Sequence, residues 1–440
     1  MIERLRRNAE LTLLLMGMAV FGGAYALASL GRSASVPANI GPFLAFVVGL
    51  FVLAHLAVRR LAPGADGTLL PLGGLLNGIG YVFIARIEPD LASKQALWTA
   101  VGIMAFIATL YFVKRPRDLE RYRYSALLIG IGLIMLPLVP VLGNEVNGAR
   151  IWIQAGPLNF QPGEVAKMAL VVFFAAYLVE KRELLALPSW PKSRPILPDP
   201  KHLGPVMVAW GVAMVVIMAE KDLGTALLFF TLFMVMLWVS TGKARFLVVG
   251  FSLFALGALF AFSRFAHVQQ RIDSWLNPWA DPNGPGGFQI LRGWFAMADG
   301  GIGGRGLGLG LNNIPEAEND FIFAVIGEEL GLLGTTAVLV AFLLIVGSGL
   351  RIALSQTGSF EKLLATGLTT LFGVQAFIIL GGVTRLLPLT GVVLPFVSYG
   401  GSALLVNYIQ LALLIRLSDD AHTRVQRRAR RAPIPAAATS

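Results

Sequence analysis

The sequence has no cysteine, which excludes disulfides, zinc-thiolate sites and cysteine nucleophiles together. Charge is scarce too: Asp, Glu, Lys and Arg make up 14% of the 440 residues, against 56% hydrophobic residues and a mean hydropathy of +0.71. That balance excludes an ordinary soluble domain. No polar stretch is long enough for a water-soluble core, and the longest inner connection, 181–202, is rich in Pro and Lys. The chain also lacks a short internal repeat and the paired halves that many transporters carry.

What it does have is a series of apolar windows of about 20 residues, the length that crosses a bilayer. They lie near 11–30, 41–58, 67–86, 96–113, 125–142, 164–180, 203–219, 224–241, 245–264, 321–346, 363–385 and 390–415. This predicts an all-α polytopic membrane protein with about twelve transmembrane helices. The first window follows a basic start but has no convincing cleavage site, so it reads as a retained helix.

A net charge of +11 invites a nucleic-acid reading, and the distribution of the cations removes it. With the N-terminus cytoplasmic, about two-thirds of the Lys and Arg fall in inner loops and tails, including Lys114, Arg115, Arg117, Arg121, Arg123 and the run RRARR. The surplus orients a plasma-membrane protein with both termini in the cytoplasm. Two outer segments are then long, 143–163 and 265–320. The second carries Trp275, Trp279, Phe288, Trp294 and Phe295, and its stretch FQILRGWFAMAD predicts an interfacial helix, hence an ordered loop.

Cations on the outer side are exceptions to that rule. Arg150, Lys167, Arg271, Arg292, Arg305 and Arg385 each read singly as snorkelling residues, but gathered around two long loops they point to an anion site, and the arginine fork suits phosphate. In QPGEVAK, Glu164 and Lys167 share a helix face and can pair. Glu220, Lys221 and Asp222, and Glu328 with Glu329, form similar islands, each equally readable as a structural ion pair. GGIGGRGLGLG contains G-x-G-x-x-G at Gly301, Gly303 and Gly306, but no strand precedes it and no Walker lysine-serine pair accompanies it. Its amides are readable as a phosphate cradle or as a close-packing turn.

Asp281 lies in WADPNGPGGFQ, where Pro282, Asn283, Gly284, Pro285, Gly286 and Gly287 preclude a helix and demand turns. Local sequence alone makes it a turn former. Its place on a long, aromatic-rich outer loop flanked by cations makes it a candidate general base. An enzyme acting there has no nucleotide sugars, so an activated sugar must arrive on a lipid. A polyprenyl-pyrophosphate-linked donor fits, with cations stabilising the departing pyrophosphate.

Six ordered motifs, NGARIWIQAGPLNFQPGEVAK, EKDLGTA, WADPNGPGGFQ, GGIGGRGLGLG, IPEAENDFIFAVIGEELG and RLLPLTGVVLPFVSYGGSALLVNY, resemble the SEDS family of bacterial cell-wall glycosyltransferases, which includes RodA and FtsW. The resemblance runs from about 143 to 416 and leans toward the RodA-like, elongation branch. It implies polymerisation of lipid II into peptidoglycan strands at the outer membrane face, beside a class B penicillin-binding protein held by the helices near 321–346 and 363–385. It also places the family's essential aspartate on Asp281, and its glutamate and lysine on Glu164 and Lys167. Gly163, Phe288 and Arg292-Gly293 depart from the usual Ser, Tyr and Gln-Ser. Twelve spans exceed the family's usual ten, the surplus lying in 1–95, so 96–416 is the expected core and 417–440 a disordered basic tail.

The expected reaction is inverting glycosyl transfer. Asp281 is the base, Arg150, Lys167, Arg271 and Arg305 contact pyrophosphate, and Glu164 orients Lys167. The sequence demands no cofactor and is compatible with a divalent cation, Mg2+ or Mn2+. A lipid II flippase would use the same cations without a base, and a non-catalytic scaffold would need neither.

Overall fold

The computed structural model describes residues 2–34, 40–140, 142–146, 149–155, 158–187, 198–311 and 314–431. Four N-terminal helices, α1 (Ile2–Ser33), α2 (Ile40–Leu61), α3 (Leu69–Ile87) and α4 (Pro89–Phe112), lead through a 3-10 turn at Pro116–Tyr122 into α5 (Arg123–Met135). An antiparallel sheet follows in the order β1 (Gly143–Val146), β2 (Ala149–Ala155), β3 (Leu158–Phe160). Asn144 lies opposite Trp152, and Gln154 opposite Asn159. Then come α6 (Pro162–Glu180), the short α7 (Arg182–Ala186), α8 (Pro200–Ala219), α9 (Leu223–Thr241) and α10 (Arg245–Arg264). The long loop folds as α11 (Ala266–Leu276) and α12 (Pro285–Gly300), before α13 (Ile322–Ser355), α14 (Ser359–Val383) and α15 (Gly401–Arg431).

Local chemistry sets many of these ends. Pro opens α4, α6 and α8, where its missing N–H costs nothing. Asp222 caps α9 by accepting from the Thr225 N–H at 2.9 Å, and Gly242 closes that helix with a φ of 66°.

Three sequence expectations need correction. Eleven helices among the described residues are long and apolar enough to cross a membrane. The twelfth expected span, 125–142, is α5 of 13 residues prolonged by a 3-10 turn at Leu136–Leu138, together about 25 Å of helix. Pro137 ends the α-helix inside an apolar run, which hydropathy does not register. The outer segment 143–163, for which the all-α reading expected no strand, carries the small sheet, seeded by the alternating apolar residues of RIWIQ. Finally, residues 417–431 of the expected disordered tail are helical in α15, and 432–440 lie outside the described residues. Just before that stretch Arg416 donates Nε to the Val113 carbonyl at 2.9 Å, and within it Arg424 pairs with Glu361 at 2.7 Å.

The buried core runs through α6, α14 and α15, with α3, α4, α9 and the inner faces of the others against it. Phe251, Leu256 and Leu343 stay exposed on the outer faces of α10 and α13, as lipid-facing side chains do. The N-terminal helices are built into this core. A Cβ on Gly31 would come within 2.3 Å of the Leu307 carbonyl, and one on Gly80 within 2.3 Å of the Val397 carbonyl. Backbone meets backbone at both places, which only glycine allows. We predict that Gly80→Val lowers stability by at least 1–3 kcal/mol, the usual cost of overpacking. The readout is the melting temperature of detergent-purified protein; an unchanged value would show that α3 can move off the 396–397 segment freely.

Candidate functional site

At the end of the bundle that carries the sheet, three polar groupings form around the starts of α6 and α9, α11 and α12, and the segment 384–400. The first is sealed inside. Lys167 Nζ lies 2.8 Å from both Glu164 carboxylate oxygens and 3.4 Å from Gln375 Oε1, with Glu164, Lys167 and Gln375 all buried. The shared helix face read from QPGEVAK therefore forms the expected pair. Gln375 then donates to the Val393 carbonyl at 2.9 Å. Beside it, Gln161, Gly163, Glu220, Asp222 and Thr225 line a small cleft between α6 and the α8–α9 break.

The second grouping is centred on Arg271, whose guanidinium donates to the Thr390 carbonyl at 3.1 Å. Its charge acts on Asp320, just before α13, which is not among the candidate residues read from the sequence. Burial first, then the negative charge of Glu316, push the Asp320 carboxyl up to about 7; Asp222 and Glu318 add to this and Arg271 opposes it. Glu220, outside the spans, is raised to about 8 by burial and by Asp222.

The third grouping is Asp281. It is exposed, and its Oδ1 accepts from the Gly284 N–H at 2.9 Å. The turn reading of the local sequence is thus physically realised. Helix α12 starts sooner than expected, at Pro285, so Gly286 and Gly287 are helical. A Cβ on Gly287 would lie 2.2 Å from the Asp281 carbonyl, so the glycines let α12 begin directly over the aspartate. Asp281 lines a cavity of about 340 Å³ with Gln269, Asp273 and Ser274 of α11 and with Asn277 just past its end. Arg150, Lys167, Arg271 and Arg305 do not line it. Oδ1 is anchored, and Oδ2 makes no hydrogen bond to another described residue.

The remaining expected contacts stand apart. Arg150 donates to the Gly143 and Pro140 carbonyls, each at 3.3 Å, and so closes its own hairpin. Arg305 pairs with Asp299 at 3.1 Å. The glycine-rich loop spends amides internally: those of Arg305 and Gly306 donate to the carbonyls of Glu328 and Glu329 at 2.9 and 3.0 Å. Those of Gly308 and Leu311 donate to the Glu329 and Glu328 carboxylates, both at 2.7 Å. Of the two readings of this loop, close packing is the one these contacts realise. Glu329 also pairs with Arg86 at 2.6 Å. Among the described residues no group of three or more His, Asp and Glu is arranged to hold a metal ion.

The profile of the FtsW/RodA/SpoVE cell cycle proteins matches residues 86–423. The chain belongs to this family. The peptidoglycan glycosyltransferase RodA of Mycobacterium tuberculosis is 43% identical over 99% of this chain and 95% of its own length. A solved structure described as showing structural coordination of polymerization and crosslinking by a peptidoglycan synthase complex aligns with a TM-score of 0.67 and 27% identity, covering 81% of this chain and 98% of that one. The rod shape determining protein RodA of Thermus thermophilus aligns at 0.56 and 25%, covering 81% and 97%. The family match begins near the end of α3, so the earlier helices fall outside it, although the mycobacterial RodA spans them.

In this FtsW/RodA/SpoVE chain the sequence signal for Gln375 was a single amide in an apolar run, and for Asp320 an acid just before one. Both become legible once the helices assemble. Two predictions follow from these contacts. Lys167→Met leaves the Glu164 carboxylate buried and unpaired, and should destabilise on the order of 3–5 kcal/mol; Glu164→Gln combined with Lys167→Met should recover most of that loss in chemical unfolding. A double variant no more stable than the single one would deny the pair its role. For Asp320, the unfolded chain ionises near pH 4 while the folded one keeps its proton until about pH 7. Folding should therefore weaken as pH rises from about 4 to 7 and level off above. Asp320→Asn should flatten that slope in melting temperatures taken across the range, leaving the part due to Glu220.

Proposed function

We propose that the chain is a peptidoglycan glycosyltransferase that polymerises lipid II at the outer face of the plasma membrane. Membership of the FtsW/RodA/SpoVE family and the near full-length similarity to a mycobacterial peptidoglycan glycosyltransferase RodA support this reading, and the extent of that similarity favours the RodA-like, elongation branch. The observation that carries the mechanism is the Asp281 carboxylate, fixed through Oδ1 and open through Oδ2 over a sugar-sized cavity.

In the reaction, Asp281 accepts the proton of an acceptor hydroxyl as its oxygen bonds to the anomeric carbon of the donor sugar. The bond from that carbon to the pyrophosphate oxygen breaks in the same displacement, so configuration inverts. The leaving pyrophosphate takes its charge compensation from Arg271; for Lys167, which Glu164 orients, and for Arg150 and Arg305 to add to it, each has to release the contact it makes in this structure. Arg271 sits on α11, whose cavity-lining residues face Asp281, so base and cation are about one helix thickness, ~10 Å, apart. The cation distribution favours both termini in the cytoplasm, which asks for an even number of crossings, so α5 with its 3-10 extension, shorter than the eleven full-length spans, would be the twelfth. A divalent cation, Mg2+ or Mn2+, would add to the charge compensation. A class B penicillin-binding protein is the partner we assign, seated on α13 and α14.

Asp281→Asn should lower polymerisation by 10²–10⁴-fold, the usual contribution of a general base, with lipid II binding kept. The assay is glycan formation from lipid II by the purified chain and its partner in liposomes. Normal polymerisation by that variant would remove the base assignment, and headgroup transfer across vesicles without polymer would replace the enzyme with a flippase.

A further inference from the structure

Among the outer cations read from the sequence, Arg385 takes no part in the proposed displacement, yet it touches both flanks of the segment that carries Asp281. It sits two residues past the end of α14, a mostly buried helix. The turn around it is tied to that helix. The Arg385 amide donates to the Gly382 carbonyl at 3.2 Å, and the Leu387 amide to the Gly381 carbonyl at 2.9 Å. Within this turn Arg385 has a φ of 62°, a left-handed conformation that residues with a Cβ adopt only where the surroundings impose it.

From there the side chain runs to α11. Its Nε donates to the Trp275 carbonyl at 2.6 Å and its Nη2 to the Leu276 carbonyl, while the Arg385 carbonyl accepts from Trp275 Nε1 at 3.0 Å. Both carbonyls belong to the last turn of α11, where helical partners run out and a cation suits the helix dipole. The guanidinium also lies over the Trp294 ring of α12, 5.2 Å from its centroid. Residues 277–284, with Asp281 among them, join these two helices. Arg271 holds the middle of α11 to the Thr390 carbonyl, and Arg385 holds the end nearest the aspartate. A snorkelling arginine would turn its charge to headgroups; this one spends two donors on backbone and its face on an indole.

We infer that Arg385 is a positioning residue for Asp281, clamping the end of α11 and the Trp294 ring of α12 to the fixed end of α14 so that the segment between them holds the carboxylate in place. This rests on Asp281 being the base. Because the chain has no cysteine, a nitroxide on Asn283→Cys, exposed and two residues after Asp281, reports the segment's mobility independently of activity. In the full chain in liposomes, Arg385→Gly removes the clamp and tolerates the left-handed φ. The melting temperature checks that it folds, and Arg385→Lys, which keeps the charge without the planar fork, takes its place if it does not. The nitroxide should become more mobile, and kcat for glycan formation should fall about 10–10²-fold, the scale of a ~1 Å misplacement, with KM for lipid II changed by less than about twofold. Added to Asp281→Asn, the same substitution should cost almost nothing more, since a base already lost cannot be misplaced. Losses that multiply overturn the positioning role and make Arg385 a direct phosphate contact. A nitroxide as immobile as in the unsubstituted chain overturns the clamp. Full polymerisation by Asp281→Asn alone removes the base, while the nitroxide still decides whether Arg385 holds the segment.

Discussion

The ion pair of Lys167 with Glu164 is the contact from which the candidate site is hung. Away from water a lone ammonium or carboxylate is too costly to keep, so the two must stay within reach of each other and of whatever satisfies their remaining valences. Gln375 meets that need from α14 and, through its other end, ties down the Val393 carbonyl. The 384–400 segment is thereby fixed against the bundle, and that segment in turn holds α11 through Thr390 to Arg271 and through Arg385 to Trp275. The position of α11 beneath Asp281 therefore depends on a charge pair one layer deeper.

A second constraint works on the backbone. At the break in α13, Gly331 takes a φ of 65°, and the amides of Leu332 and Leu333 turn to the carbonyls of Gly301 and Ile302 at 2.9 and 3.2 Å. The glycine-rich loop answers with its own amides to Glu328 and Glu329. Groups that a broken helix would leave unsatisfied in a dry interior are thus matched by a loop that could not approach if it bore side chains. The same composition that builds phosphate loops here builds a wall, and what separates the two is whether the amides are free.

Much of this was legible in the sequence for a physical reason. Hydropathy reports lipid contact and burial, so the spanning helices appear wherever the chain is uniformly apolar. Local spacing reports helix faces, so Glu164 and Lys167 appear as a pair. Contacts between residues far apart in the chain leave no such trace. Glu329 gives no local sign that it will meet Arg86, nor Asp320 that it will face Arg271. Proline inside an apolar run and a short alternating stretch in a loop are weak local signals that hydropathy averages away, which is why α5 and the sheet departed from expectation. Asp281 became a candidate by its place on the outer loop and by the resemblance of WADPNGPGGFQ, since its immediate neighbours encode a turn equally well.

That turn also answers why a flexible-looking PNGPGG run should hold a carboxylate at all. A base on an unrestrained loop would sample many directions, and most would miss the attacking hydroxyl. Here one oxygen is tied to Gly284, α12 starts immediately over the aspartate, and α11 supplies the opposite wall. Only one carboxylate oxygen is left without a hydrogen bond among the described residues. The glycines that look like slack in the sequence are what permit this close approach of backbone to side chain, so the turn former observed here and the base proposed for it are compatible with one geometry.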